Sequence, residues 1–159
     1  MSYNQLMILG GLKADNMLIG VISSLFLSGN GAHLLLNVLI GLIMLSVLKG
    51  RYPLNKLALL FIFSGIASNL ISVALQPEVL TYGASGCNMG LGGLIIADVL
   101  RNVIRNMRYH ANKVSFLVGL LVIILMFRVV TSGNESTNYI SHLAGMCIGL
   151  LSEKWMRYK

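Results

Sequence analysis

Residues 54–75 read LNKLALLFIFSGIASNLISVAL, 22 residues whose one charge, Lys56, stands near the start. At 1.5 Å per residue a helix of that length reaches about 33 Å, enough for a hydrocarbon layer about 30 Å thick. Four further apolar stretches flank it, at 33–48, 85–100, 114–130 and 138–155. Lipid offers no water to a backbone, so each is expected to be a helix, although several fall short of the roughly 20 residues of a full perpendicular span. The earlier run at 17–27, MLIGVISSLFL, has 11 residues and ends in the turn-forming Ser28-Gly29-Asn30-Gly31. It is read as an interfacial or re-entrant segment. The expected architecture is an all-α, polytopic membrane bundle in a single domain over 1–159, with an N-terminal segment and membrane-associated loop at 1–32 and a five-helix core at 33–155.

Composition supports this and excludes other classes. Of the 159 residues, 56% are hydrophobic and 11% charged, against about 25% charged in soluble domains. With a mean hydropathy of +0.79, a soluble monomer is excluded. The net charge of +7 is scattered in short groups between apolar runs rather than along one face, so no nucleic-acid partner is expected. Cys87 and Cys147 each lie in an apolar run without a second ligand at metal spacing. No disulfide framework, metal or cofactor is therefore expected. The N-terminus MSYNQLMILGGLKAD has no positive region ahead of its apolar stretch, so no cleavable signal peptide is read there.

Lys and Arg set the expected orientation, because short cytoplasmic loops collect them. Lys49, Arg51, Lys56, Arg101, Arg105, Arg108, Lys113, Lys154, Arg157 and Lys159 fall on one face, and only Lys13 and Arg128 on the other, ten against two. The C-terminus is accordingly placed in the cytoplasm and the loops 76–83 and 131–138 outside, in an inner or plasma membrane of bacterial type. Asp98, three residues before Arg101, is expected to pair with it along the helix rather than to relay protons. Asn134-Glu135-Ser136 has the form of a glycosylation sequon.

Polar groups are costly within lipid, so the few in these spans are the candidates for chemistry. His33 and Asn37, four apart, share one helix face at the external end of the first span. Ser85, in Gly83-Ala84-Ser85-Gly86, opens the third span, where backbone N–H groups lack helical partners. His142 stands one turn into the last span. All four lie at similar depth on the external side. Ser64, Ser68 and Ser72 are read as bonding carbonyls of their own helix. Gly86, Gly90 and Gly93 recur at helical spacing, as do Gly145 and Gly149 after His142. If these small-residue stripes face each other, the two helices approach closely and Ser85 meets His142 at one level; the stripes serve packing alone otherwise. There is no His-Glu-x-x-His for zinc and no second intramembrane acid for an aspartyl pair. Cys87, two residues beyond Ser85, falls on another helix face.

ISSLFLSGNGAHLLLNVLIG (22–41), FSGIASNL (63–70), YGASGCNMGLGGL (82–94) and SHLAGMCIGLL (141–151) together resemble the rhomboid family of intramembrane serine proteases, in the family's order. The resemblance implies that Ser85 is the nucleophile and His142 its base. It implies that His33, Asn37 and the Ser85 N–H form the oxyanion site, that Gly83 permits the loop's turn, and that Gly86 and Gly145 lie where the two catalytic helices touch. It also implies transmembrane protein substrates cut near the external face, with small residues favoured at the cleaved position.

Several positions depart from the family pattern. Ile19-Gly20 or Gly20-Val21 stands where a Trp-Arg pair is usual, Ser28 replaces a His, Met89 an aromatic, and Lys49 lies near a missing Glu. The family's six-helix core has another span ahead of the loop that residues 9–32 resemble, and only about eight residues precede it here, so a core without that first helix is the expectation. None of these changes removes a reacting group. Two rivals are a catalytically inactive rhomboid-like protein that binds membrane clients, and a small transporter or channel subunit with a glycine-rich packing core.

Overall fold

The computed structural model describes residues 2–104 and 138–157, together with Leu117, Leu120, Leu121 and Ile124. Short elements come first: α1 (Tyr3–Ile8), a 3-10 turn at Ala14–Asn16, α2 (Met17–Ser23) and a second 3-10 turn at Ser24–Phe26. Four long helices follow, α3 (Gly31–Leu48), α4 (Leu54–Leu75), α5 (Ser85–Ile104) and α6 (Tyr139–Arg157). The segment expected not to cross a bilayer thus forms one seven-residue helix and a turn, too short for a span. Of the span expected at 114–130 only the four residues named are described, and they are helical and exposed. The loop at 131–137 with its sequon, and Arg105, Arg108, Lys113, Arg128 and Lys159, lie outside the described residues.

Local chemistry starts each long helix where the sequence changes character. The Asn30 side chain accepts from His33 N at 2.8 Å and caps α3. Pro53, in extended backbone, leads into α4 at a place where a missing N–H costs nothing. Asn138 Oδ1 accepts from Ser141 N at 3.1 Å and caps α6. Ala84 O accepts from Asn88 N at 3.0 Å as α5 begins.

Helix α5 is the hub, packing against α3, α4 and α6. Its apolar residues Leu91, Leu94 and Ile95 are buried with Met44, Leu57 and Met156 in one core. The surface runs the other way. Helix α3 turns Leu35, Leu36, Leu39, Leu42 and Ile43 outward, while Ser68, Asn69, Asn88, Asp98 and His142 are buried. An apolar exterior around a hydrogen-bonded polar interior suits hydrocarbon surroundings. Among the described residues, α3 and α4 are long and apolar enough to cross a bilayer.

One end of the bundle gathers charge. Of the seven described Lys and Arg residues, all but Lys13 lie at the end where α3, α5 and α6 finish and α4 starts. Asp98 forms an ion pair with Arg51 of the α3–α4 connection and accepts from the Tyr52 hydroxyl at 3.2 Å. This corrects the expected pairing along the helix, since Arg101 reaches Glu153 of α6 at 3.1 Å. The connection folds back across the helix ends, so it offers Asp98 a cation on the bundle axis. Burial pushes the Tyr52 phenol well above its ordinary range, and the adjacent Asp98 carboxylate adds to the push. Lys56 Nζ donates to the terminal carbonyls of Trp155 and Met156, at 3.2 and 3.4 Å, and lies 5.4 Å from the Trp155 ring centre.

Candidate active site

The opposite end carries the residues singled out from sequence. Its frame is the close approach of α5 to α6. A Cβ placed on Gly145 would overlap the Gly86 backbone, and one on Gly149 the Gly90 backbone. Gly93 lies against the Met146 carbonyl in the same way. The two glycine stripes therefore face each other, as close backbone packing requires. Gly86 follows Ser85, Gly145 comes one turn after His142, and a Cβ on Gly86 would lie 3.0 Å from Ser141 Oγ. The immediate neighbours of Ser85 and His142 are thus in contact.

Ser85 is the first residue of α5, so its N–H belongs to the turn that has no helical acceptor. Before it Gly83 takes φ +105°, a left-handed conformation that side chains resist. The Gly83 N–H donates to Ser24 O at 2.7 Å, tying this turn to the 3-10 segment ahead of α3. His142 is 8% exposed and its Nδ1 has no hydrogen-bond partner. No hydrogen bond joins Ser85 to His142 among the described residues.

His33 and Asn37 pair as their four-residue spacing on α3 predicts. Asn37 Nδ2 lies 3.1 Å from His33 Nε2 and donates to His33 O at 3.0 Å. His33 Nδ1 lies 3.0 Å from Ser28 Oγ, whose own proton is given to Asn30 O at 2.9 Å. Ser28 Oγ must then accept, which places the ring proton on Nδ1 and leaves Nε2 as the acceptor for Asn37. A Cβ on Gly83 would sit 3.4 Å from His33 Cε1 and 3.9 Å from Ser85 Oγ, so the imidazole borders the turn that presents the serine. His33, Asn37, Gly83, Gly86 and Ser85 thus gather at one end of the bundle, beside the start of α6.

A polar seam joins α4 to α6, and sequence reasoning missed it. Ser64 and Ser68 donate to the carbonyls three residues back, Phe61 O at 3.1 Å and Gly65 O at 3.0 Å. That is the local bonding expected, but Ser68 Oγ also accepts from Ser141 Oγ at 3.2 Å. Ser141 reaches Asn69 Oδ1 at 3.0 Å, and Asn69 Nδ2 donates to Ser24 Oγ at 3.1 Å. Asn138 Nδ2 donates to Ser72 Oγ at 2.5 Å and to Thr81 Oγ1 at 2.8 Å. The Thr81 backbone pairs with Leu12 through two 2.9 Å bonds, an isolated antiparallel bridge. Asn88, three residues beyond Ser85, is 2% exposed and donates to Asn37 O at 2.9 Å and Asn37 Oδ1 at 3.2 Å. The available signal is the amides Asn69, Asn88 and Asn138 standing in or beside apolar runs. Cys87 is buried, with Sγ against Gly65 of α4, the separate face expected for it.

Comparison with known proteins agrees with this picture. A sequence profile described as the Rhomboid domain matches residues 15–159. Rhomboid-like protease 1 of Toxoplasma gondii is 35% identical over 129 residues, which cover 78% of this chain and 42% of that protein. RHOMBOID-like protein 4 of Arabidopsis thaliana is 26% identical over 148 residues, 90% of this chain and 36% of the relative. Rhomboid-like protease 3 of Toxoplasma gondii is 35% identical over 79 residues, 50% of this chain and 30% of the relative. The chain spans less than half the length of these curated relatives. With its helical architecture and a profile match over nearly its whole length, the chain belongs to the rhomboid family.

Proposed function

We propose that this chain is an intramembrane serine endopeptidase working through Ser85 and His142. The observation that carries the reading is the backbone contact of Gly86 with Gly145, which sets the first turn of α5 against the first turns of α6. His142 takes the Ser85 proton as Oγ attacks the scissile carbonyl carbon, and returns it to the departing amine. Water, deprotonated in turn by His142, then hydrolyses the acyl ester. Apo serine–histidine pairs are often longer than a hydrogen bond and tighten only around substrate. Ser141 does not orient the imidazole, because its single hydroxyl proton is shared between Ser68 Oγ and Asn69 Oδ1. Packing around Gly145 remains to hold the ring.

The Ser85 N–H and Asn37 Nδ2 supply the oxyanion donors. His33 adds a donor only when Nε2 carries a proton, as in the imidazolium form, since neutral His33 uses Nε2 to accept from Asn37. Removing one such donor costs about 3 to 4 kcal/mol in the transition state. The single domain at 1–159 comprises the N-terminal segment at 1–32 and the core at 33–155. The charged end of the bundle faces the cytoplasm, and the site opens near the external face. Substrates are transmembrane segments that unwind locally there, favouring Gly or Ser near the cut.

A second reading, a catalytically inactive rhomboid-like protein that binds membrane clients, draws on the missing Ser85–His142 hydrogen bond and the unpartnered Nδ1. The test is cleavage of a model transmembrane substrate in reconstituted vesicles. Cleavage lost in Ser85→Ala and in His142→Ala, with fluorophosphonate labelling of the wild type, supports the protease. A folded wild type with neither cleavage nor labelling establishes the binding role.

A further inference from the structure

We propose that Asn88 is a positioning residue that fixes the Asn37 carboxamide with its NH2 turned toward the reacting carbonyl; this rests on the protease reading above. Asn37 alone has two amide orientations. In one, Nδ2 points back to His33 and the site; in the other, Oδ1 would oppose the lone pairs of His33 O and His33 Nε2. Asn88 Nδ2 selects the first by donating to both Asn37 Oδ1 and Asn37 O, at 3.2 and 2.9 Å. Asn37 Oδ1 is thereby committed as an acceptor, so its NH2, whose two protons rest on His33 O and His33 Nε2, keeps facing the site and can turn one of them to an oxyanion.

The arrangement is built rather than incidental. Asn88 is 2% exposed in a helix whose neighbours are otherwise apolar or small. Its Oδ1 is buried without a partner, a cost that polar side chains in such surroundings seldom bear. The amide fits only because Gly41 of α3 lacks a side chain, since a Cβ there would lie 2.8 Å from Asn88 Oδ1. Asn88 and Gly41 both line a cavity of about 420 Å³ between α3, α4 and the 22–28 segment. One turn of α5 thus carries the nucleophile at its start and, one turn on, the group that orients a donor on α3.

The experiment uses reconstituted full-length chain and the same cleavage assay. Asn88→Leu is expected to lower kcat about tenfold with KM nearly unchanged, the mark of an interaction made in the transition state. In an Asn37→Ala background the same substitution should cost almost nothing further, because its target is gone. Asn88→Asp should be active when its carboxyl is protonated and lose activity as pH rises and the carboxylate opposes Asn37 Oδ1, a limb absent from the wild type. Gly41→Ala, which displaces the Asn88 amide, should reproduce the Asn88→Leu defect, and covers the case in which Asn88→Leu fails to fold. Additive losses in the double variant, or a wild-type pH profile in Asn88→Asp, overturn the proposal. Wild type that cleaves through Ser85 while Asn88→Leu is fully active overturns this inference alone; wild type that never cleaves overturns the protease reading beneath it.

Discussion

The two ends of the bundle are held by different chemistry. At the end where α6 finishes, Arg51 pairs with Asp98, Arg101 and Arg157 pair with Glu153, and Lys56 closes on terminal carbonyls. At the other end, apart from Lys13 on the exposed Glu78, the ties are neutral: Asn138 to Ser72 and Thr81, Ser141 to Ser68 and Asn69, Asn88 to Asn37. Unpaired charge is expensive in hydrocarbon, and each ion pair would shift the field around a reacting serine, whereas amides and hydroxyls bind without net charge. Charge therefore fastens the end away from the candidate site, and dipoles fasten the site itself.

The sharpest way to break the comparison is through the contact both ends share. Gly149→Leu places a side chain on the Gly90 backbone and should destabilise by about 3 kcal/mol, read by denaturant titration in detergent; a stability near wild type would mean that the α5–α6 contact is dispensable. Next, Arg51→Ala leaves the buried Asp98 without that cation. The side chains are 26% and 11% exposed, so the loss should be about 2 kcal/mol, below the 3–5 of a fully buried pair. Asp98→Asn in the same chain should recover part of it. At the neutral end, Asn138→Ala removes a helix cap and two side-chain bonds and should cost about 1.5 kcal/mol. High salt should shrink the Arg51 effect and leave the Asn138 effect unchanged, since screening acts on charge.

Smaller effects refine the contrast. Tyr52 is raised above its ordinary 10.0, so the folded chain holds this proton more tightly than the unfolded one. Stability from this source is whole below about pH 10 and declines as pH rises beyond it. Tyr52→Phe should remove that alkaline decline in a pH series of unfolding midpoints. Least of all, Lys13→Gln should change stability by less than about 0.5 kcal/mol, because its partner Glu78 is exposed.

Much of this was legible in the sequence for identifiable reasons. Apolar runs announce α3, α4, α5 and α6, and Ser85 reads as the first residue of α5 because glycine and turn residues precede it. The brevity of 17–27 gave the short α2 and its 3-10 turn. Spacing put His33 beside Asn37, and the glycine repeats gave the helix pair that touches. What spacing cannot give is which side chain answers which across helices. Asp98 had a plausible cation three residues away, yet its ion pair reaches one 47 residues earlier in the chain. Ser68 and Ser72 read as self-sufficient on α4, whereas the start of α6 supplies partners to both. Asn88 was invisible because its meaning depends on Asn37 and on the space left by Gly41.

Thr81 is held from two directions: its backbone is stitched to Leu12 on both sides, and its hydroxyl receives the amide that begins α6. The segment ahead of α2 and the helix bearing His142 consequently share one fastening point. A substitution that frees Thr81 would therefore untie both at once, the strand-like pairing of Leu12 and the cap that starts the helix of His142.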